Sequence, residues 1–156
     1  MRKANREVKD TKELAAILQA CDVCRIAFSD GQYPYVVPLN FGYEFGDALT
    51  LYFHCAKEGR KLDLMRSNPK VGFEMDCSHK LITGTAACDY TMNFESIIGY
   101  GVLSEVTELE DKIYGLDTVM KHYGFEGQPE YKPSVFERTA VLKLQVLSFT
   151  GKRLNK

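Results

Sequence analysis

Apolar residues recur at two different spacings along this chain of 156 residues. Leu14, Ile17, Leu18 and Cys21 fall three and four apart behind Asp10 and Glu13, which predicts a short amphipathic helix opened by a capping box and running to about residue 20. From there the period shortens to two. Residues 23–29 predict a first strand, Asp30-Gly31 a tight reversal, and residues 33–42 a second strand. Pro34 and Pro38 place that second strand at an edge or a bulge, because proline has no N–H to give to a ladder. After a turn at Gly46-Asp47, Leu49, Leu51 and Phe53 alternate with Thr50, Tyr52 and His54, so one face is apolar and His54 lies on the other. Residues 59–67 predict a short helix that turns Leu62 and Met65 inward and ends at Asn68-Pro69. Val71, Phe73 and Met75 then alternate with Gly72, Glu74 and Asp76 as a fourth strand.

Between residues 77 and 93 the alternation lapses, which predicts an irregular segment long enough to serve as a lid or an interface element. Residues 94–107 read as a long strand whose Gly99 and Gly101 mark close approach by another backbone or a ligand. Thr107 and Glu110 suggest a second capping box, followed by Ile113, Leu116, Val119, Met120 and Tyr123 on one helix face and Gly124 as the stop. Residues 128–133 form a loop, and residues 139–149 a last strand with apolar residues on both faces ahead of Gly151-Lys152-Arg153. Residues 1–9 are charged and aperiodic, a loose arm presenting Arg2, Lys3 and Arg6. Strands and helices in this order do not alternate as βαβ units. They predict one mainly β domain over residues 1–156, an antiparallel barrel with peripheral helices.

Composition narrows the classes of function. A net charge of −1 and a pI near 6.3 supply no global basic field for nucleic acid or anionic lipid, so a positive site has to be local. No apolar run approaches the ~18 residues of a membrane span. Five cysteines, odd in number and irregularly spaced with no signal peptide ahead of them, suggest a reducing compartment, and the expectation is the cytoplasm. Cys21 and Cys24 have redox spacing without the strand-then-helix setting that activates a thiol, so packing is the expected role. Cys55, Cys77, His79 and Cys88 match no zinc pattern, and no metal is expected. The chain also lacks G-x-S-x-G, a P-loop, and a G-x-G-x-x-G placed after a strand.

What is left is one local convergence. Val36-Val37-Pro38-Leu39-Asn40 offers an apolar wall with free backbone groups. Leu51-Tyr52-Phe53-His54 follows it, and Lys57, Arg60 and Lys61 crowd the entry to a helix. Three cations within five positions, beside exposed N–H groups, suit a phosphate; spacing alone favours an ordinary solvated helix face, and the preceding strand, Gly59 and the Pro-bearing strand nearby bring the two readings level. His54 at the strand end could donate to a ring or serve as acid or base near neutral pH; His79 and His122 are given no role.

Taken in order, Tyr35-Val-Val-Pro-Leu-Asn40, Tyr52-Phe-His54, Glu58-Gly-Arg-Lys61, Cys88-Asp89 and Ser96-Ile-Ile-Gly-Tyr-Gly101 resemble the 5-nitroimidazole-resistance branch of the pyridoxamine 5'-phosphate oxidase-like flavoproteins. The resemblance runs over essentially the whole chain. It implies an FMN-binding split barrel, antiparallel and Greek-key-like, working as a homodimer with FMN at the subunit interface. It further implies that Val37, Pro38, Leu39 and Asn40 line the flavin ring, that Phe53, His54 and Cys55 flank it, and that Lys57, Arg60 and Lys61 hold the phosphate. Ser96 would reach FMN from the partner subunit, and His54 is the catalytic or substrate-side candidate. Tyr90 stands where many relatives carry Trp, and 91–95 is less basic than in many of them, which loosens the inference about substrate more than that about cofactor. The implied activity is FMN-dependent oxidoreduction of small molecules, with nitroaromatic compounds among the candidates. A flavin-binding or sensing protein without a substrate, and a split barrel holding deazaflavin or haem, stay open beside it.

Overall fold

The computed structural model describes residues 3–155, so the expected role of Arg2 falls outside the described residues. Residues of the supposed loose arm are structured. A single 3-10 turn at Ala4–Arg6 leads into β1 (Glu7–Val8), which pairs with the last strand at Lys152 and Gly151. Helix α1 (Thr11–Ala20) opens as expected on Asp10, whose carboxylate accepts the N–H groups of Lys12 and Glu13, both at 3.0 Å. Glu13 does not close the box; its carboxylate instead takes Arg153 at 2.6 Å.

The predicted strand over 33–42 is two strands, β3 (Tyr35–Leu39) after β2 (Cys24–Phe28), and β4 (Phe41–Phe45). They part at Asn40. Its amide donates to the Tyr123 hydroxyl at 3.0 Å, and the N–H of Phe41 donates to the same oxygen at 3.2 Å, so one phenol from a distant helix pins the corner. Next come β5 (Leu49–Ala56), α2 (Arg60–Ser67), β6 (Lys70–Ile82) and β7 (Thr91–Val106). The supposedly irregular 77–93 is therefore mostly strand. The alternation lapses because the register shifts between Cys77 and Lys80, with Ser78 at a φ of 59°, and a bulge of this kind moves every later side chain to the other face. The loop proper is 83–90, closed by the Asp89 carboxylate accepting the Ala86 N–H at 3.1 Å.

Helix α3 (Leu109–His122) starts after Glu108 without a side-chain cap, because the Thr107 hydroxyl is spent on the Glu108 carboxylate at 3.5 Å and the second capping box does not form. Its buried stripe is Gly115, Leu116, Val119 and His122, rotated from the predicted one so that Ile113 is exposed. Gly115 explains the rotation: a Cβ there would lie 2.8 Å from Val141 and 3.0 Å from the Tyr52 ring, so the helix rides on β5 at its one residue without a side chain. Tyr52, expected on a polar face, is buried beneath it. The short α4 (Pro133–Phe136) and the long β8 (Thr139–Leu154) complete the chain.

All strand pairs are antiparallel, and the sheet runs in the order β3-β2-β6-β7-β8-β5-β4, with β1 added on β8. The two edge strands, β3 and β4, are consecutive in sequence yet do not pair. The sheet curls into a barrel that stays split at that seam. Phe28, Phe41, Phe53, Phe73, Met75, Ile97, Leu103, Leu142 and Leu144 fill its interior. Helix α3 packs on β4 and β5, α1 on β6 and β7, and α2 on β2, while Ile98 and Tyr100 of β7 stay exposed. Among the described residues no helix is long and apolar enough to cross a membrane.

Candidate functional site

One part of the convergence seen in the sequence is brought together in space, the start of β3 with Arg60 at the start of α2. The Arg60 guanidinium lies over the Tyr35 ring, 4.9 Å from its centroid, and makes an ion pair with Asp30 from the β2–β3 turn. Tyr35 in turn leans on Phe28, so the start of β3 and the start of α2 are held against each other. Helix α2 is preceded by Gly59 at a φ of 131°, a conformation open to glycine, and glycine has no side chain with which to cap the first turn. Lys57 is exposed and Lys61 half-buried beside this uncapped start. Lys61 also draws the Cys55 thiol downward, although burial outweighs it and leaves that pKa raised.

Along β3 burial alternates. Val37 and Leu39 lean on the core, while Val36 and Pro38 face out. Among the described residues the side of β3 away from β2 has no strand partner, so its backbone groups there are open to a ligand. The Asn40 amide is spent on the corner bond to Tyr123. The Phe53 side chain is in the barrel interior, and only its backbone could approach a ring.

His54 and Ser96 lie elsewhere. His54 is exposed on the outer face of β5, where it borders a cavity of about 380 Å³ floored by Leu116, Val119 and Met120 of α3 and walled by Tyr131 and α4. That wall is held by a 2.6 Å hydrogen bond from the Tyr131 hydroxyl to Asp117, and by the Lys112 ammonium, 2.7 Å from the Phe136 carbonyl and 4.0 Å from the centre of its ring. Ser96 is buried on β7, opposite Asp76 and Lys152. Two strands separate it from β3, about 14 Å at the usual strand spacing. Within one chain it does not join the cradle.

Near Ser96 the outer face carries a charged network. Arg25 reaches Asp76 at 2.6 Å and Glu74 at 3.1 Å, and His79 reaches Asp76 at 2.6 Å. Burial and then the neighbouring Asp76 push the Glu74 carboxyl upward. Among the described residues no three His, Cys, Asp or Glu side chains gather as a metal would need. Sequence reasoning missed Asp30, Tyr35 as a platform, and the Tyr131 wall. Each becomes visible only once residues some tens of positions apart are folded together.

A family model described as pyridoxamine 5'-phosphate oxidase matches residues 10–153. Among solved structures, a Bacteroides thetaiotaomicron protein named for 5-nitroimidazole antibiotic resistance is 32% identical, with 94% of this chain and 86% of that one covered and a TM-score of 0.80. The flavocytochrome of Azotobacter vinelandii is 19% identical, over 100% of this chain and 72% of its own, at a TM-score of 0.81. An FAD-binding protein from Mesorhizobium loti is 23% identical, over 96% and 98%, at 0.64. These last two share the split-barrel fold. An uncharacterized Rhizobium meliloti protein is 32% identical over 68 residues, 44% of this chain, and the match spans only 42% of that relative's length.

Proposed function

Because the chain belongs to the pyridoxamine 5'-phosphate oxidase family, in the branch of the 5-nitroimidazole-resistance proteins, we propose that it binds FMN in the Tyr35–Arg60 cradle and works as an FMN-dependent oxidoreductase on small molecules. The observation that carries this reading is one juxtaposition: an open strand edge meets an uncapped helix start bearing Lys57, Arg60 and Lys61. Backbone groups of 37–40 on that edge suit the polar rim of a flavin ring, and the cations with the free N–H groups of the first turn suit its phosphate. Bound FMN would supply hydride or single-electron transfer. The chain's own share is orientation, exclusion of water by Val37 and Leu39, and an exposed imidazole at His54 able to hold or pass a proton beside the α3 cavity.

One chain gives only part of the site. The outer face of β3, β2, β6 and β7 presents Val36, Ile98 and Tyr100 at 53%, 55% and 59% exposure, and Ser96 lies in the same face. A second copy laid symmetrically on this face would bury those side chains and bring Ser96 of the partner subunit towards the cradle. A flavin-binding protein without turnover is the rival reading. The apolar cavity at His54 is where a small-molecule substrate would be sought under the enzyme reading.

The visible spectrum of the protein as purified separates flavin from deazaflavin or haem, and retention of added FMN then tests the cofactor. Arg60→Ala should weaken FMN binding by about 1.5 kcal/mol, the lower end for a charged contact because Arg60 is well exposed. An unchanged dissociation constant would move the phosphate elsewhere. Anaerobic mixing with NADH or NADPH, then with nitro compounds and quinones, distinguishes an oxidoreductase from a binder: flavin that is never reduced and never reoxidised by any acceptor supports the binder.

A further inference from the structure

Arg60, the arginine of the proposed phosphate clamp, already has an anionic partner. The Asp30 carboxylate, from the turn in which Gly31 takes a φ of 60°, pairs with one terminal nitrogen of the guanidinium while the Tyr35 ring lies under its plane. Asp30 itself is largely shielded from solvent, and Arg60 is exposed. Two effects of this carboxylate oppose each other. It restrains a long side chain, which favours binding, and it puts a negative charge within a few ångströms of where a phosphate would be gripped, which disfavours it. The restraint is duplicated by Tyr35, whereas the negative charge on Arg60 comes from Asp30 alone among the described residues.

Resting on the cofactor reading above, we infer that Asp30 is a built-in counter-ion that competes with the cofactor phosphate for Arg60. It thereby grades flavins by the charge of the phosphate they bring. The penalty scales with that charge. FMN ends in a monoester carrying nearly two charges at neutral pH, FAD places a diphosphate with about one charge per phosphate in the same position, and riboflavin brings none. Asp30 therefore narrows the advantage that the cationic cluster gives to FMN over FAD, and it leaves bound FMN exchangeable. Asp30 is a specificity-determining residue and takes no part in electron transfer.

The test is a titration of the cofactor-stripped protein with riboflavin, FAD and FMN, followed by flavin fluorescence, for the wild type, Asp30→Asn, Arg60→Ala and the double variant. Asp30→Asn keeps the size and turn preference of the residue and removes its charge. At low salt it should tighten FMN about three- to tenfold, FAD by less, and riboflavin not at all, and the gain should shrink at high salt. In the Arg60→Ala background the share of the gain that comes from competition for Arg60 should vanish, leaving only the direct repulsion between the Asp30 charge and the phosphate. Unchanged or weaker FMN binding in Asp30→Asn, with Arg60→Ala still impaired, would overturn the competition and leave the cofactor reading standing. Failure of the wild type to bind any of the three flavins would remove both. Unchanged riboflavin affinity and far-ultraviolet circular dichroism exclude a folding defect as the cause of any shift.

Discussion

His122 shows how a residue with no legible signal can matter to the fold. Its ring, on the last turn of α3, lies among Phe41, Tyr43 and Tyr123, with centroids 4.5, 5.5 and 4.9 Å away. Nε2 is 2.8 Å from the Cys21 carbonyl, which can only accept, so Nε2 carries the hydrogen and Nδ1 is a bare lone pair with no partner among the described residues. Protonating Nδ1 would put a second N–H into an aromatic box with nothing to receive it, and burial pushes the pKa down accordingly. The unfolded chain binds that proton more readily than the folded one. The stability His122 provides is thus fully present above its ordinary pKa of 6.5 and is lost as pH falls below it. Urea midpoints measured from pH 7 down to about 5 should fall, and His122→Gln, which keeps a donor for Cys21, should flatten that slope. An equal slope in the variant would place the acid sensitivity in other groups. Sequence spacing could not have shown this, since a lone histidine at the end of a helix carries no period. By contrast the packing role expected for Cys21 and Cys24 was readable, and both thiols are buried with their pKa values raised by that burial.

Among the elements, β4 and α3 meet at a position where the chain has no room. A Cβ on Gly42 would stand 2.4 Å from the backbone of Thr118, so Gly42→Ala must push α3 off the sheet or bend β4. Overpacking of this kind should cost roughly 1–3 kcal/mol in urea unfolding. It should also loosen the Asn40 corner, because Tyr123, which pins that corner, follows α3 directly. A loss below about 0.5 kcal/mol would mean the helix shifts freely. Period-two alternation revealed β5, β6 and β7, and the fourth strand continues past its predicted end because a one-residue bulge inverts the pattern without ending the pairing. The split of β3 from β4 was hidden for a different reason: apolar residues continue through Asn40, and what divides the strands is a hydrogen bond to a residue 83 positions away. The cationic half of the proposed site could be singled out since its members are neighbours in sequence. Its carboxylate and its aromatic platform were not, because Asp30 and Tyr35 reach Arg60 only through the fold.

For the whole molecule, the exposed apolar face of β7 is where the proposed pairing of two copies is tested. Ile98 and Tyr100 project from the middle of a sheet, where a monomer would leave them in water. Tyr100→Glu should shift sedimentation from dimer to monomer at micromolar concentration. It should also reduce FMN retention if Ser96 of the partner subunit completes the cradle. A wild type that is monomeric at that concentration would count against the two-copy site, and a monomeric variant with unchanged FMN affinity would show that one chain suffices.

The place of β8 in the sheet has a bearing on how the protein is made. It lies between β7 and β5, so it alone joins the four-stranded half β3-β2-β6-β7 to the hairpin β5-β4, and it also carries β1. Among the described strands it is the last to be synthesised. Chains grow from the N-terminus at about 5–20 residues per second, so for several seconds the ribosome holds two partial sheets with open edges and no strand to connect them. The nascent chain can form its hairpins but cannot close its barrel until residues 139–154 have emerged, and during that interval chaperones have the most exposed apolar surface to bind.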